Sequence, residues 1–188
     1  MRCFIAIDVA PEVLAGILRV QGALRATAAR ADVRWAGREQ LHLTIKFLGA
    51  VPDERVPDVS TALGTVTAAA APIELAAGGV GGFPSVKSPR VLWVGITAGA
   101  PVLAELARAV DGAMTRLGFA PEVRSFRGHL TLGRVRSPRG GAALAKALGA
   151  AGAPVFGAWS VSEVVLYESR LRPTGAVYVP ISHHALGG

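Results

Sequence analysis

The tripeptide His-Leu-Thr occurs twice in this chain, at 42–44 and at 129–131. In an extended strand alternate side chains share a face, so each copy would present an imidazole beside a hydroxyl. A neutral imidazole accepts a proton, an imidazolium donates one, and a threonine hydroxyl donates a hydrogen bond to a phosphate oxygen. Two such copies facing one cleft would hold the groups that general acid–base displacement at phosphorus requires.

The two copies occupy equivalent places in the chain. An apolar run that begins at Phe4 precedes His42 by 38 residues, and a run that begins at Val91 precedes His129 by the same 38 residues. Each run predicts a strand, and each is followed by a helical pattern. A repeat present in two copies indicates two halves of similar design rather than a solenoid.

Strict alternation predicts which neighbours share a face with the first histidine. It places Thr44 and Lys46 on the solvated face of His42, and it places Phe47 on the opposite, packed face. The second copy repeats the imidazole and hydroxyl of the first. A single His-x-Thr is an ordinary polar strand face, and only the matched pair favours a site.

Composition favours a folded protein with an anionic partner. The chain has 188 residues, 51% of them hydrophobic and 18% charged, and its net charge is +7. Phosphate contacts supply most sequence-independent nucleic-acid affinity, so this balance is typical of a protein that binds RNA or nucleotides. A bias of the source genome toward Ala, Gly and Arg explains the charge equally well.

Other kinds of site find little support. Cys3 is the only cysteine, which excludes an internal disulfide and a cysteine pair for zinc, and there is no His-Glu-x-x-His motif. The glycine cluster at 78–82 lacks the spacing of a phosphate-binding loop and predicts a bulged strand instead. We expect His183 and His184 to lie in a solvated tail. No leader or membrane-spanning run is evident, so we expect a cytoplasmic protein without a membrane association.

Periodicity predicts alternating strands and helices in a single domain over 1–188. The predicted strands are 3–9, 33–35, 41–48, one opening at 72–75, 90–97, 161–168 and 176–181. The predicted helices are 11–30, one from 52 to about 70, 102–117 and 142–148. Pro and Gly predict a turn at 169–175.

Several segments together resemble the 2H phosphoesterase superfamily, and specifically the bacterial and archaeal RNA 2′,3′-cyclic phosphodiesterases, once called 2′-5′ RNA ligases. The resemblance covers nearly the whole chain. The segments are RCFIAID at 2–8, RW at 34–35, LHLTIKFLG at 41–49, GFP at 82–84, PRVLWVG at 89–95, FRGHLTLGR at 126–134 and LYESRL at 166–171. Gly128 departs from the family, because many relatives carry proline or another residue there.

The resemblance implies an α+β fold of two pseudo-symmetric lobes, whose antiparallel sheets flank a central cleft and carry helices outside. It also implies hydrolysis of a terminal 2′,3′-cyclic phosphate to a 2′-phosphate without a metal or cofactor. In that mechanism His129 is the base, His42 the acid, and Thr44 and Thr131 the phosphate donors. The substrate would be RNA with a cyclic phosphate terminus, or a cyclic nucleotide, and we expect a monomer.

Three further residues gain expected roles from the resemblance alone. Arg134 is similar to a phosphate-contacting arginine of the family, although alternation places it opposite His129 unless a bulge intervenes. Phe47 and Phe83 are candidates for base stacking, and each would serve equally well in the core.

Several alternatives stay open at this point. The acid and base roles are interchangeable in a near-symmetric site, and reversible 2′-5′ RNA ligation would exchange them. A non-catalytic RNA-binding protein would show the same basic cleft without turnover. A hydrolase of a small nucleotide-sugar cyclic phosphate would share the chemistry and differ in its pocket.

Overall fold

The structure, a computed structural model, describes residues 1–173 and 175–187. Two single-turn 3₁₀ helices occupy Arg38–Gln40 and Asp53–Arg55. The strands are β1 (Arg2–Ile7), β2 (Val33–Trp35), β3 (Leu43–Ala50), β4 (Ile73–Phe83), β5 (Val91–Ala98), β6 (His129–Val135), β7 (Val155–Val161), β8 (Glu163–Arg172) and β9 (Gly175–Ala185). The helices are α1 (Pro11–Thr27), α2 (Val56–Ala68), α3 (Ala100–Arg116) and α4 (Gly141–Ala151).

The strands form one antiparallel sheet in the order β7-β4-β5-β6-β3-β1-β8-β9, with β2 paired to β6 beside this path. The predicted α+β fold with two pseudo-symmetric lobes is confirmed. One lobe contains β3, β1, β8 and β9, and the other contains β6, β5, β4 and β7. The strands of the two lobes form one continuous sheet, because β3 and β6 pair at Leu43 and Leu130.

Each lobe is completed by a strand from the other half of the chain. Strand β4 follows α2 in the first half and pairs with β5 of the second half. Strand β8 belongs to the second half and pairs with β1 of the first. The halves are therefore interleaved, and most strand pairs between them join residues that are distant in sequence.

The main hydrophobic core lies between the sheet and the helices, which cover one of its faces. Ile17 of α1, Leu63 of α2, Leu103 of α3 and Leu144 of α4 are all fully buried in it. Burying each such side chain stabilises the fold by about 1.5–3 kcal/mol. A second, smaller cluster packs Phe4 against Tyr167 elsewhere in the sheet, with Tyr178 beside it.

Element boundaries agree with the sequence patterns except in a few places. Helix α1 begins at Pro11, at the first helical position as predicted, and ends at Thr27 rather than near Arg30. Strand β7 was not predicted, because its exposed and half-buried residues give no clear alternation. The turn predicted at 169–175 is wrong over 169–172, because β8 continues to Arg172, and Thr174 lies outside the described residues.

The prediction for His183 and His184 is wrong. Both lie in β9, where His184 pairs with Val164 and His183 with Val165 of β8. The His184 side chain is half-buried, and its Nε2 lies 2.9 Å from the Ser182 hydroxyl. His183 points to the exposed side, where its Nδ1 lies 3.1 Å from Glu163. Within the described parts of the chain, no helix is long and apolar enough to cross a membrane.

Candidate active site

The two His-Leu-Thr copies meet at the junction of the lobes. Leu43 lies opposite Leu130, and antiparallel pairing about this point brings His42 beside Thr131 and Thr44 beside His129. His129 begins β6, whereas His42 lies one residue before β3 begins. The register thus groups each histidine with the threonine of the other copy.

A matching register shift follows each copy. Ile45 has no partner between the pairs Ile5–Lys46 and Ala6–Thr44, and the shift in β6 leaves Leu132 without a partner in the same way. Such a bulge exchanges the faces of all later residues in the strand. Strict alternation therefore fails one residue after each threonine, in both halves.

The bulges bring Phe47 and Arg134 to the faces of the two histidines. The prediction that Phe47 lies on the packed face is wrong, since 68% of its surface is exposed. The two residues are equivalent positions of the repeat, because Phe47 pairs with Phe4 and Arg134 with Val91 at the same register. Alternation alone would place Arg134 on the face opposite His129. The bulge returns it to the face of His129, so its position is compatible with a role in the site.

Lys46 lies on the helix side, and the prediction that it shares the face of His42 is wrong. Its side chain is buried, and its ammonium binds Asp111 of α3 and donates a hydrogen bond of 2.9 Å to the Ala120 carbonyl. This ammonium holds the pKa of the Asp111 carboxyl below its usual value. Lys46 therefore joins β3 to α3 and takes no part in the site.

A groove of about 220 Å³, termed here the central groove, runs along the junction. Five of the seven predicted site residues line it: His42, Thr44, Phe47, Thr131 and Arg134. The other two, His129 and Phe83, lie outside this lining and contact each other edge to face at 5.2 Å. Residues to which the sequence analysis assigned no role in the site also line the groove: Phe4, Arg34, Trp35, Gln40, Leu171 and Tyr178.

His129 has a fixed tautomer when neutral. Its Nδ1 lies 2.7 Å from the carbonyl oxygen of Arg127, and a carbonyl only accepts hydrogen bonds, so Nδ1 carries the proton. The lone pair is then on Nε2. The neutral ring can accept a proton there without changing its orientation.

His42 is set in a different environment. Only 13% of its side chain is exposed, it lies among the rings of Phe4, Tyr167 and Tyr178, and its Nδ1 has no hydrogen-bond partner among the described residues. Its Nε2 lies 3.5 Å from Asp8. Burial lowers the pKa of His42, because the charged ring loses its hydration, and the carboxylates of Asp8 and Glu39 oppose this effect.

The surroundings of the two histidines differ at equivalent positions. The register that pairs Ile7 with Leu43 places Asp8 across from His42, and the matching register pairs Gly95 with His129. Tyr167 of β8 contacts His42 and donates a 2.7 Å hydrogen bond to Asp8.

Phe83 of β4 is the equivalent of Tyr167 beside His129, and it carries no hydroxyl. Asp8 with Tyr167 is thus replaced by Gly95 with Phe83 at the other histidine. The carboxylate serves one half of the site alone.

The two threonines have hydroxyls available for a ligand. Both side chains are half-buried, and neither hydroxyl makes a hydrogen bond within residues 1–173 and 175–187. Thr44 and Thr131 line the central groove together with Arg134. The two hydroxyls could donate hydrogen bonds to an anion that lies between the histidines.

The glycine cluster of β4 provides space for an aromatic ring. A side chain at Gly81 would collide with the indole of Trp93, which lies across from Gly81 in β5. Trp93 in turn packs on Phe83 at 5.3 Å and pairs with Thr131 in β6. The glycines therefore serve the packing behind the second motif, and the predicted bulges of β4 are present near Ala76 and Gly78.

Family comparison supports the same division of the chain. The model of the family described as LigT like phosphoesterase matches twice, over residues 7–93 and 94–178. Together the two matches cover most of the sequence, and each contains one His-Leu-Thr copy. The chain belongs to the LigT-like phosphoesterase family.

Relatives of this LigT-like phosphoesterase are similar over nearly their full length. A protein of Methanothermobacter thermautotrophicus named RNA 2′,3′-cyclic phosphodiesterase is 33% identical over 95% of each chain. A protein of Archaeoglobus fulgidus with the same name is 33% identical over 95% of this chain and 96% of its own.

Solved structures of LigT-like proteins share the fold. TT0787 of Thermus thermophilus has a TM-score of 0.82 at 27% identity, over 100% of this chain and 99% of its own. E. coli LigT complexed with 3′-AMP has a TM-score of 0.75 at 26% identity, over 98% of this chain and 97% of its own.

The sequence analysis of this LigT-like phosphoesterase missed the residues that surround its first histidine. Asp8 and Tyr167 lie within segments that carried the resemblance, but they are distant from His42 in sequence. The order of the strands would have been needed to bring them together. Within the described chain, no group of three or more His, Cys, Asp or Glu side chains could hold a metal ion.

Proposed function

We propose that this protein hydrolyses the 2′,3′-cyclic phosphate at the end of an RNA, leaving a 2′-phosphate and a free 3′-hydroxyl. The observation that carries the proposal is the antiparallel pairing of Leu43 with Leu130, which brings His42 beside Thr131 and Thr44 beside His129. This arrangement surrounds one anion with two proton-transfer groups and two hydroxyl donors. Relatives named RNA 2′,3′-cyclic phosphodiesterase support the same reaction.

The unequal settings of the histidines support a direction for the reaction. His129 accepts the proton of the attacking water on Nε2, because Arg127 holds the proton on Nδ1. His42 donates a proton to the departing O3′, and Asp8, 3.5 Å from its Nε2, favours the charged ring against the burial that lowers its pKa. The oxygen of the water forms the new bond to phosphorus as the bond to O3′ breaks. One proton passes from the water to His129 and one from His42 to O3′, so the substrate gains no net charge in the step.

Thr44 and Thr131 would bind the oxygens of the cyclic phosphate that do not react, and Arg134 would contact a phosphate farther along the groove. Hydrogen bonds from charged or hydroxyl donors to these oxygens strengthen as negative charge develops in the transition state. Phe47 offers its exposed ring to a base on the other side of the groove, and Phe83 supports His129 from behind. In this proposal no metal or cofactor takes part, and the protein acts as a monomer and as a single unit of two lobes.

Phosphorus NMR of the purified protein with a 2′,3′-cyclic nucleotide, and with a short RNA ending in one, tests the reaction. In EDTA we expect conversion to the 2′-phosphate. General acid–base catalysis contributes about 10²–10⁴-fold, so His42→Ala and His129→Ala should lose most of the activity. Thr44→Val and Thr131→Val should lose less.

The matched control is His183→Ala, since His183 lies in β9 and pairs with β8 outside the groove lining. Its activity should equal that of the unaltered protein. Tight RNA binding with no product from any substrate would contradict the proposal and indicate a non-catalytic RNA-binding protein. Turnover of a nucleotide-sugar cyclic phosphate in preference to RNA would assign a different substrate to the same chemistry.

A substrate with sulfur in place of O3′ tests the direction. A thiolate leaves without a proton, so loss of the general acid should matter little. We expect His42→Ala to recover much of its activity on this substrate, whereas His129→Ala should not recover. The opposite pattern would exchange the two roles. Ligation to a 2′-5′ linkage would use a 5′-hydroxyl in place of water at the same site, with His129 as the base and His42 as the acid, and cleavage of that linkage would exchange the two roles.

A further inference from the structure

Two arginines lie opposite each other at one end of the central groove. Arg34 of β2 pairs with Arg134 of β6 in an antiparallel register, and both line the groove. Like charges in directly opposed positions destabilise a sheet. Within residues 1–173 and 175–187, neither guanidinium forms an ion pair with a carboxylate. A pair of like charges without a neutralising partner favours an anion as its ligand.

The position of this pair relative to the histidines is set by the strand. Because Leu132 bulges, Arg134 is the next residue after Thr131 that faces the groove. Thr131 and Arg134 pair with Trp93 and Val91, which are two residues apart in β5. At about 3.3 Å per residue, Thr131 and Arg134 are therefore separated by about 7 Å along β6. Arg34 lies across from Arg134, on the edge of β6 opposite the one that pairs with β5. The arginine pair is thus adjacent to the site of the reacting phosphate and displaced along the groove.

The head group of Arg34 lies beside the β8–β9 hairpin. A Cβ atom at Gly175 would lie 3.2 Å from Nη2 of Arg34. Gln40 fixes the hairpin in this position by donating a 2.6 Å hydrogen bond from Nε2 to the Ala176 carbonyl. The lack of a side chain at Gly175 leaves room for the guanidinium beside the hairpin. Arg34 is therefore placed within the site region, although its side chain is exposed.

We propose that Arg34 and Arg134 form a second anion subsite, which binds the phosphate on the 5′ side of the terminal nucleotide. This proposal rests on the function proposed above, in which the histidines and threonines hold the cyclic phosphate. Guanidinium groups match phosphate oxygens with two parallel hydrogen bonds, and a pair of them can bind one phosphate from two sides. The subsite favours a terminal nucleotide that carries a 5′-phosphoryl group over one with a free 5′-hydroxyl.

Three substrates distinguish the effect of the 5′ phosphate from the effect of the rest of the RNA. They are a cyclic mononucleotide with a 5′-hydroxyl, the same nucleotide with a 5′-phosphate, and a dinucleotide that ends in the same cyclic nucleotide. We expect kcat/KM to be higher for the last two. Arg34→Gln should lower kcat/KM for those two at least about tenfold more than for the 5′-hydroxyl compound. Arg34→Lys should recover part of the loss, since it keeps the charge without the fork.

Salt dependence and a matched variant complete the experiment. Loss of one phosphate contact to a single strand should reduce the slope of log affinity against log salt by about 0.7 for the dinucleotide. Arg108→Gln removes the same charge from the exposed surface of α3, and all three substrates should react with it as with the unaltered protein. Binding of the same three compounds, measured by calorimetry, tests the proposal even where none of them is hydrolysed.

Two outcomes would overturn the second subsite. An equal loss on all three substrates would mean that Arg34 acts on the reacting phosphate or on the fold. Preference for the dinucleotide without preference for the 5′-phosphorylated nucleotide would assign the gain to the added nucleoside. Failure of the unaltered protein to hydrolyse any of the three would instead contradict the proposed function, and the binding data would still decide the role of Arg34.

Discussion

Leu43 and Leu130 lie opposite each other where β3 meets β6, and both side chains are fully buried. The pair occupies the point about which the two halves of the site are related. Its side chains extend into the helix-covered core, while His42, Thr44 and Thr131 line the groove. The same two residues therefore support the fold and set the register of the groups proposed to react.

Truncating this pair should damage stability and activity together. We expect Leu130→Ala to lower the free energy of unfolding by about 2–5 kcal/mol, because it leaves a cavity in the core. Urea unfolding measures this change, and kcat at a temperature where the variant stays folded measures the effect on the site. Val123→Ala, at a side chain that is 90% exposed, should change the free energy of unfolding by less than about 0.5 kcal/mol. Equal stability of the two variants would contradict a central role for the pair.

Asp8 should control the protonation of His42. Burial already lowers the pKa of His42, and Asp8 opposes this effect, so Asp8→Asn should lower that pKa further. Proton NMR titration of the His42 ring measures the shift. Tyr167→Phe removes the hydrogen bond that orients the Asp8 carboxylate, and it should move the same pKa. Asp58→Asn, which removes an equal charge from α2, should leave it in place.

The lowered pKa of His42 decides in which direction the free energy of unfolding changes with pH. Neutral His42 favours the folded state at a pH above its ordinary value of about 6.5, and this contribution is lost as the pH falls through the lowered pKa. Asp8→Asn should therefore lose more stability than the unaltered protein over the interval that begins near pH 6.5 and extends downward. Identical unfolding curves for the two proteins across that interval would contradict the link between Asp8 and His42.

The contact between Lys46 and Asp111 should stabilise the fold without serving the site. Removing a hydrogen bond to a buried charged group costs about 1.5–3 kcal/mol, and we expect Asp111→Asn to lose a value in this range. Since Lys46 lowers the pKa of Asp111, the contribution is present above the ordinary pKa of 3.8 and is lost as the pH falls below it.

Asp58→Asn serves as the reference for this experiment, because the exposed pair of Asp58 with Arg55 should contribute less than about 1 kcal/mol. Chemical unfolding at pH 7 compares the two variants directly. A smaller loss for Asp111→Asn than for Asp58→Asn would show that the buried ammonium does not depend on its carboxylate.

Phe47 should matter for binding and little for folding. Its ring is 68% exposed, so Phe47→Ala should keep the free energy of unfolding within about 0.5 kcal/mol. Stacking of a base on an aromatic ring contributes about 1–3 kcal/mol by alanine substitution, so KM for a cyclic nucleotide should rise. Steady-state kinetics and urea unfolding measure the two quantities. An unchanged KM would remove Phe47 from the proposed site.

Local pattern predicted the repeat and the residue types of the site, and the resemblance to a known family predicted the α+β fold. The sequence could not predict which side chains reach the groove beyond each threonine. Which side chains reach the groove depends on the bulges at Ile45 and Leu132. Alternation predicts an apolar residue at both positions, so the sequence pattern gives no sign that the strand bulges there. Lys46 and Phe47 were consequently assigned to the wrong faces.

Contacts between distant segments were also beyond prediction. Asp8, Arg34 and Tyr167 reach the site region through strand pairs that join separate parts of the chain. His184 was predicted to lie in a tail because nothing in its neighbourhood specified a partner. Its hydroxyl partners, Ser60 and Ser182, come from α2 and from β9 itself.

The exchange of β4 and β8 between the lobes also bears on how such a chain could be assembled from smaller parts. A polypeptide with one repeat would leave the outer edge of β1, or of β5, unpaired, and it could complete its sheet only with a strand from a second copy. The resulting pair of chains would have one histidine from each partner across a twofold axis. Both histidines would then have identical neighbours, and only a fused chain can place a carboxylate beside one of them alone.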